Sequence, residues 1–399
     1  MGCMMPTSET RRRMPSERRS KLDRLHTERF ASELFDDDLH VKRVESLANG
    51  VTGVLRAAAL SVHAIGEAYS EIAGTKPRFG VKQVDRFLSN RAIDVAKLTP
   101  SWAAFVIGAR REIVVALDWT EFDKDDHATL CAYVVTRHGR ATPLAWMTVK
   151  KSTLEGRRGG YEFELIDRLH VAIPKNVSVV LLADRGFGDQ KLYAYLSALG
   201  WDYVIRFRGC ILVEDGSGEA RPAADWVPKT GRATMLRGVR VTQDRAEVPA
   251  VVVVHAARMK EAWCLATSLS SKKASEVVEL YGKRFTIEET FRDAKDIRFG
   301  MGLSATHIRD AGRRDRLLLL AAIAHALLTL LGAASEATGM DRYLKVNTSK
   351  ERTHSLFRQG AYWYGAIPNM REDWLRDLMR AFDKIVIEHA VLREIYALI

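Results

Sequence analysis

Two apolar runs, each ending in an aspartate, constrain the fold of this chain most strongly. Residues 112–118 read EIVVALD and residues 177–184 read VSVVLLAD. Continuous aliphatic and β-branched runs of this kind are typical of strands that are buried on both faces. Because α/β sheets present reactive groups where their strands end, Asp118 and Asp184 are predicted to meet at one edge. Either aspartate alone is as well explained by a turn or a helix cap.

A third acidic residue, Glu288, lies in the segment Tyr281–Lys295, YGKRFTIEETFRDAK. The segment lacks proline, and it has no glycine beyond Gly282, so the sequence predicts one continuous helix. On a helical wheel the apolar side chains form one stripe: Leu280, Ile287, Phe291 and Ala294. A polar stripe lies directly beside it: Tyr281, Arg284, Glu288 and Lys295. The alternative is an ordinary amphipathic helix in which an Arg284–Glu288 pair contributes a few tenths of a kcal/mol.

The spacing Y-x2-R-x3-E-x6-K, with two aspartates upstream, resembles the motif of the insertion-sequence four family of DDE transposases. The resemblance implies that Asp118, Asp184 and Glu288 are the catalytic residues. Three carboxylates suit two Mg²⁺ ions, for which Mn²⁺ substitutes, and leave positions for water and phosphate. The resemblance also assigns DNA-phosphate contacts to Tyr281, Arg284 and Lys295.

The order of predicted elements supports a fold of the α/β class. Residues 109–215 read as three strands, a helix, a strand, a helix and a strand, the order of the ribonuclease H-like fold that the resemblance names. The predicted domains are a flexible basic arm (1–30), a helical N-terminal DNA-binding domain (31–108), a ribonuclease H-like catalytic core (109–215 and 271–335), a β-strand insertion (216–270) and a C-terminal helical region (336–399). Within them the pattern predicts one helix over 51–69, short β runs that include 233–236 and 239–242, and a last helix over 371–398. Asp189 is predicted to cap a helix.

The charge of the chain predicts a polyanionic partner. The net charge is +11 and the isoelectric point is near 9.5, which favours binding to nucleic acid, although a merely basic protein is the alternative. The further candidate DNA-binding residues are Lys82, Arg86, Arg185, Arg206, Arg208 and Trp263. Lys82 and Arg86 lie on a basic helix that a plain helical bundle would explain equally well. In family members that cut through a hairpin, a tryptophan in the position of Trp263 stacks on a flipped base; packing between strand and helix is the alternative.

The cysteines and the apolar segments indicate the cellular compartment of the protein. The four cysteines are far apart and form no CxxC pair, which argues against a structural zinc site and against a secreted disulfide scaffold. No secretory signal is visible. The apolar run 317–332 carries His325 and predicts a buried core helix rather than a membrane span. We therefore expect a bacterial cytoplasmic protein, associated with the nucleoid when bound to DNA and without a membrane partner.

The function predicted from these features is that of a DNA transposase of an insertion sequence. It would bind double-stranded DNA at the element ends and in the target, and it would catalyse metal-dependent strand cleavage and strand transfer. Because two ends are cut together, a homodimer is expected on DNA. Two alternatives stay open: a catalytically silent DNA-binding protein derived from a transposase, and a ribonuclease H-like nuclease without strand transfer. The short distance in sequence from Asp184 to Glu288 leaves the hairpin route open.

Overall fold

A single mixed sheet forms the centre of the computed structural model, which describes residues 24–296 and 300–387. Within those residues the sheet has ten strands in the order β3-β2-β1-β4-β5-β10-β9-β8-β6-β7. The strands are β1 (Glu112–Phe122), β2 (His127–Val134), β3 (Thr142–Lys150), β4 (Ser178–Ala183), β5 (Asp202–Phe207), β6 (Leu212–Glu214), β7 (Ala220–Pro222), β8 (Thr234–Val241), β9 (Ala246–Val254) and β10 (Trp263–Thr267).

Helices surround this sheet and make up both ends of the described chain. They are α1 (Arg24–Phe35), α2 (Val41–Ala57), α3 (Val62–Ala73), α4 (Pro77–Ser89), α5 (Val95–Ile107), α6 (Arg158–Ala172), α7 (Gln190–Ala198), α8 (Ala274–Gly282), α9 (Thr286–Lys295), α10 (Ala311–Ala337), α11 (Leu356–Ala366) and α12 (Glu372–Ile387). Helices α5, α6 and α10 pack on β3, whereas α8 packs on β5 and β9. The mixed α/β architecture predicted from the sequence is therefore confirmed.

The pairing of β1 with β4 decides where the two aspartates lie. The two strands run parallel, and the last pair in their register is Leu117 with Ala183. Asp118 and Asp184 are the next residues on the two neighbouring strands. The prediction that Asp118 ends its strand is wrong, because β2 continues to pair with β1 as far as Phe122. Asp118 therefore lies one residue beyond the parallel pairing of β1 with β4, but its backbone still pairs with β2.

The strands after β5 continue the same sheet instead of forming a separate layer. Strand β10 pairs antiparallel with β5, and β9 and β8 follow outward in antiparallel register. The two short runs predicted at 233–236 and 239–242 form the single strand β8. Gly238 lies inside it with a φ of +58°, a conformation that glycine adopts without a steric penalty. The predicted β insertion of residues 216–270 therefore extends the core sheet.

The N-terminal region is helical from Arg24 onward. Helix α1 buries Phe30 and begins inside the segment predicted to be a flexible arm, whose residues 1–23 lie outside the described residues. The single helix predicted over 51–69 is broken, because Ala58 is left-handed (φ 48°) and Ser61 caps α3 by accepting a hydrogen bond from the Ala64 amide. Residues beyond 387, which the sequence predicted to continue the last helix, also lie outside the described residues.

Helix α10 is the centre of the helical core. Among the described residues it is the one helix long and apolar enough to cross a bilayer, yet 83% of its most apolar stretch is buried inside the molecule. It packs against α2, α11 and α12. Its crossing with α11 is close: a Cβ on Gly332 would lie 1.9 Å from the Leu356 carbonyl oxygen, and one on Gly360 would lie 1.7 Å from the Leu328 carbonyl oxygen. Burial in the core accounts for its composition.

Candidate active site

Arg284 joins two of the three predicted carboxylates. Its Nη1 lies 3.1 Å from Oδ2 of Asp118 on β1, and its Nη2 lies 3.0 Å from Oε1 of Glu288 on α9. The arginine is 6% exposed, whereas the Glu288 side chain is 54% exposed. Two segments far apart in sequence are thus bridged by one guanidinium at the edge of solvent.

Asp184 stands beside this pair at the end of β4. Its Oδ1 accepts a 2.8 Å hydrogen bond from the Gly186 amide and caps the short 3₁₀ turn at Arg185–Phe187. Asp118 is held in a similar way, since its Oδ1 accepts a 2.9 Å hydrogen bond from the amide of Trp119. In each carboxylate one oxygen is oriented by the backbone, which fixes the direction of the side chain.

The electrostatics of Asp118 reflect the proximity of the other acidic residues. Burial raises the pKa of Asp118 from 3.8 to about 6. The positive charge of Arg284 opposes this rise, and the negative charges of Asp184 and Glu288 add to it. Asp184 and Glu288 are therefore close enough to Asp118 for their negative charges to act on its carboxyl group.

The motif segment is not one continuous helix, so this prediction is wrong. Helix α8 ends at Gly282, a 3₁₀ turn covers Lys283–Phe285, and α9 begins at Thr286. The backbone on either side of Arg284 is right-handed: ψ lies between −29° and −14° at Gly282, Lys283, Phe285 and Thr286, as in a 3₁₀ turn. The Thr286 hydroxyl donates a 2.8 Å hydrogen bond to the Lys283 carbonyl and supports this turn. Arg284 lies in the middle of it.

The other two motif residues serve packing and attachment in this structure. Tyr281 is 1% exposed, and its ring lies edge-on against Trp263 at 4.9 Å. Lys295 Nζ donates to the Thr120 hydroxyl (2.9 Å) and to the Glu121 carbonyl (3.0 Å), and burial lowers its pKa. Lys295 thereby fastens the end of α9 to the end of β1.

Comparison with known proteins bears on this arrangement. The family model described as the transposase DDE domain matches residues 111–327, more than half of the chain. The chain belongs to the transposase DDE domain family. The matched region contains Asp118, Asp184 and the whole motif segment. No curated protein matches the chain.

Membership in the transposase DDE domain family gives the coarse function. Such proteins are transposases, their substrate is DNA, and they generally use divalent metals. Hard divalent cations prefer oxygen ligands, and the three predicted carboxylates of this transposase would supply such oxygens. As the side chains stand, however, no group of three His, Cys, Asp or Glu among the described residues is gathered tightly enough to hold an ion. The Arg284 guanidinium lies between Asp118 and Glu288 instead.

The remaining predicted DNA-binding residues lie in four places. Arg185 and Arg206 both pair with Glu261, at 3.2 and 2.9 Å, beside the end of β4. Arg208 is exposed just after β5, and Lys82 and Arg86 are exposed on α4. Trp263 packs on Tyr281 and also tilts against Phe285, with ring centres 5.9 Å apart. The transposase therefore has its predicted cations on both the core sheet and the N-terminal helices.

Sequence reasoning missed one further carboxylate near the site. Glu162 on α6 is 7% exposed and accepts a 2.9 Å hydrogen bond from the indole of Trp119. Burial raises its pKa, and the charge of Asp184 raises it further. The signal in the sequence is the dipeptide Asp118-Trp119, because an indole next to a predicted ligand needs a buried acceptor. Asp189, predicted to be a helix cap, does cap α7 through the Lys191 amide.

Proposed function

We propose that the protein is a cut-and-paste DNA transposase of the insertion-sequence four type. The observation that carries the proposal is the meeting of three distant segments: Asp118 and Asp184 follow the last register pair of two parallel strands, and Arg284 ties Glu288 to Asp118. The strand order β3-β2-β1-β4-β5, with β2 antiparallel to its neighbours, supports a ribonuclease H-like core.

The carboxylates of Asp118, Asp184 and Glu288 are proposed to hold two Mg²⁺ ions. Bound there, the cations would activate a water and stabilise the leaving oxygen of an in-line displacement at phosphorus. The protein itself supplies orientation. The backbone amides of Trp119 and Gly186 aim one oxygen of each aspartate. Arg284 supplies the positive charge that keeps Asp118 ionised near neutral pH despite its burial.

The DNA is proposed to contact this edge through the surrounding cations. Arg284 contacts two of the carboxylates, Arg185 directly follows Asp184, and Lys295 contacts Thr120 two residues after Asp118. Arginine suits bidentate phosphate binding. Lys82 and Arg86 on α4 would contact the element ends, with the strong salt dependence of phosphate binding. Cutting two element ends together would require a dimer on DNA. A hairpin route would require Trp263 to leave its packing against Tyr281.

The experiment is cleavage of an end-labelled duplex that carries the DNA flanking the gene, with Mg²⁺ or Mn²⁺. We expect cut ends with a free 3′-hydroxyl and, with a target plasmid, joined products. Asp184→Asn should abolish both. Glu164→Gln is the matched control, because Glu164 is an exposed carboxylate on α6 that pairs only with Arg168 among the contacts described.

The three possible outcomes separate the candidate functions. Cleavage followed by joining supports the transposase. Cleavage without joined products, under conditions where the ends stay bound, supports a nuclease. Binding without cleavage supports a silent DNA-binding descendant. Inverted repeats bordered by short direct repeats around the gene would support the first outcome independently.

A further inference from the structure

The third acidic residue of α9, Asp293, is buried and paired with two arginines. It is 3% exposed and lies five residues after Glu288. Arg140 Nε donates to its Oδ2, and Arg358 Nη2 donates to its Oδ1 at 2.9 Å. Arg140 belongs to the connection between β2 and β3, and Arg358 belongs to α11. One carboxylate therefore joins three segments of the fold.

The same three segments are joined by hydrogen bonds on either side of this carboxylate. The hydroxyl of Thr290 on α9 accepts from the Ala141 amide and donates to the Ala141 carbonyl, each at 3.0 Å. The Leu356 amide at the start of α11 donates to the His138 carbonyl at 3.2 Å. The β2–β3 connection is thus held between α9 and α11 at several points.

The charge arrangement makes this attachment specific. A buried carboxylate is stable only when it is paired and hydrogen-bonded, and removing one partner of such a pair leaves an uncompensated charge. Arg140 also lies 3.7 Å from Glu289, the direct neighbour of Glu288. The C-terminal half of the short helix α9 is therefore attached to two other segments: Lys295 to β1, and Asp293 with Thr290 to the β2–β3 connection.

We propose that Asp293 is a positioning residue, which holds Glu288 opposite Asp118 by fixing α9 through Arg140 and Arg358. The proposal rests on the proposed function, since it concerns the carboxylate site of that reaction. It makes α11 part of the catalytic unit, although α11 lies beyond residues 111–327, where the family match ends.

The test compares Asp293→Asn with Glu336→Gln. Glu336 on α10 is a matched control, since it receives two hydrogen bonds from Arg352 (2.7 and 2.6 Å) and one from Gln359, outside the α9 contacts. Affinity for Mn²⁺ is measured by electron paramagnetic resonance, together with DNA affinity, single-turnover cleavage and thermal stability. We expect Asp293→Asn to bind Mn²⁺ roughly tenfold more weakly and to cleave roughly 10- to 100-fold more slowly, with unchanged DNA affinity. Glu336→Gln should lose stability without either change.

The proposal is overturned if Asp293→Asn loses stability as Glu336→Gln does but keeps its Mn²⁺ affinity and cleavage rate. Should Asp293→Asn fail to fold, Arg358→Gln replaces it, because Arg140 still neutralises the carboxylate there; a smaller loss of Mn²⁺ affinity supports the proposal and no loss overturns it. If the unmutated protein does not cleave DNA, the proposed function fails, while the Mn²⁺ comparison still decides the role of Asp293.

Discussion

Replacing Arg284 with glutamine removes the nearest positive charge beside Asp118, and the pKa of Asp118 should rise from about 6. For opposite charges about 4 Å apart, the attraction is about 1 kcal/mol at the dielectric constant of water and about 4 kcal/mol at an effective value of 20. The Asp118 side chain is 19% exposed, so the effective dielectric constant around it lies between these two values. The proton affinity of Asp118 should therefore increase between about 5-fold and about 1000-fold.

The assay is Mn²⁺ binding followed by electron paramagnetic resonance across mildly acidic to mildly alkaline pH. A protonated Asp118 cannot ligate a cation, so half-maximal binding should move to higher pH in Arg284→Gln. Arg284→Lys is the control that keeps the charge, and its midpoint should stay near that of the unmutated protein. At alkaline pH the glutamine variant should bind Mn²⁺ more tightly, because no guanidinium then separates Asp118 from Glu288.

An unchanged or lower midpoint in Arg284→Gln would refute the role of Arg284 as the counter-charge. The stability of the fold provides a second check. Because the pKa of Asp118 is raised on folding, its favourable contribution is complete below 3.8 and is lost as the pH rises through about 6. The loss at neutral pH is about 3 kcal/mol. Mn²⁺ should therefore raise the melting temperature more at neutral pH than at acidic pH.

Three further predictions concern packing around the site. His325 is buried, and neither of its ring nitrogens has a hydrogen-bond partner among the described residues. Burial lowers its pKa to about 4, so its ionisation destabilises the fold as the pH falls from 6.5, and His325→Phe should remove this acid sensitivity in denaturation curves. Gly360→Ala should lower the free energy of unfolding in urea by about 1–3 kcal/mol or more. Gly365→Ala should be neutral or stabilising, because a Cβ there meets no atom of the described chain within 4 Å. Trp119→Phe leaves the buried carboxylate of Glu162 without its indole donor and should lower stability by about 1–3 kcal/mol by calorimetry.

Local pattern determined much of what the sequence predicted correctly. The run ending at Asp184 forms β4, the run at 317–332 lies within the buried helix α10, and Asp189 caps α7. These features depend on residues within a few positions of one another, so side-chain periodicity and capping chemistry are sufficient to predict them.

The spacing of the motif also predicted that Arg284 and Glu288 lie on one face. Their contact needs only residues within 281–295, so a local pattern is sufficient to predict it. What the spacing could not predict is the partner of Arg284 on β1. That contact requires β1 to lie next to β4 and α9 to lie over the end of both, which pairing between distant segments decides.

The sequence by itself therefore determined the strands, the core helix and the four motif side chains. Only the tertiary structure decided that Asp118 lies inside β1, because β2 keeps pairing beyond it. It also decided that the motif helix is interrupted at Lys283–Phe285, and that Asp293 joins α9 to the β2–β3 connection and to α11. The register of β1 with β4 and the pairing of Asp293 with Arg140 and Arg358 join residues 65 to 153 positions apart, and no local periodicity encodes such contacts.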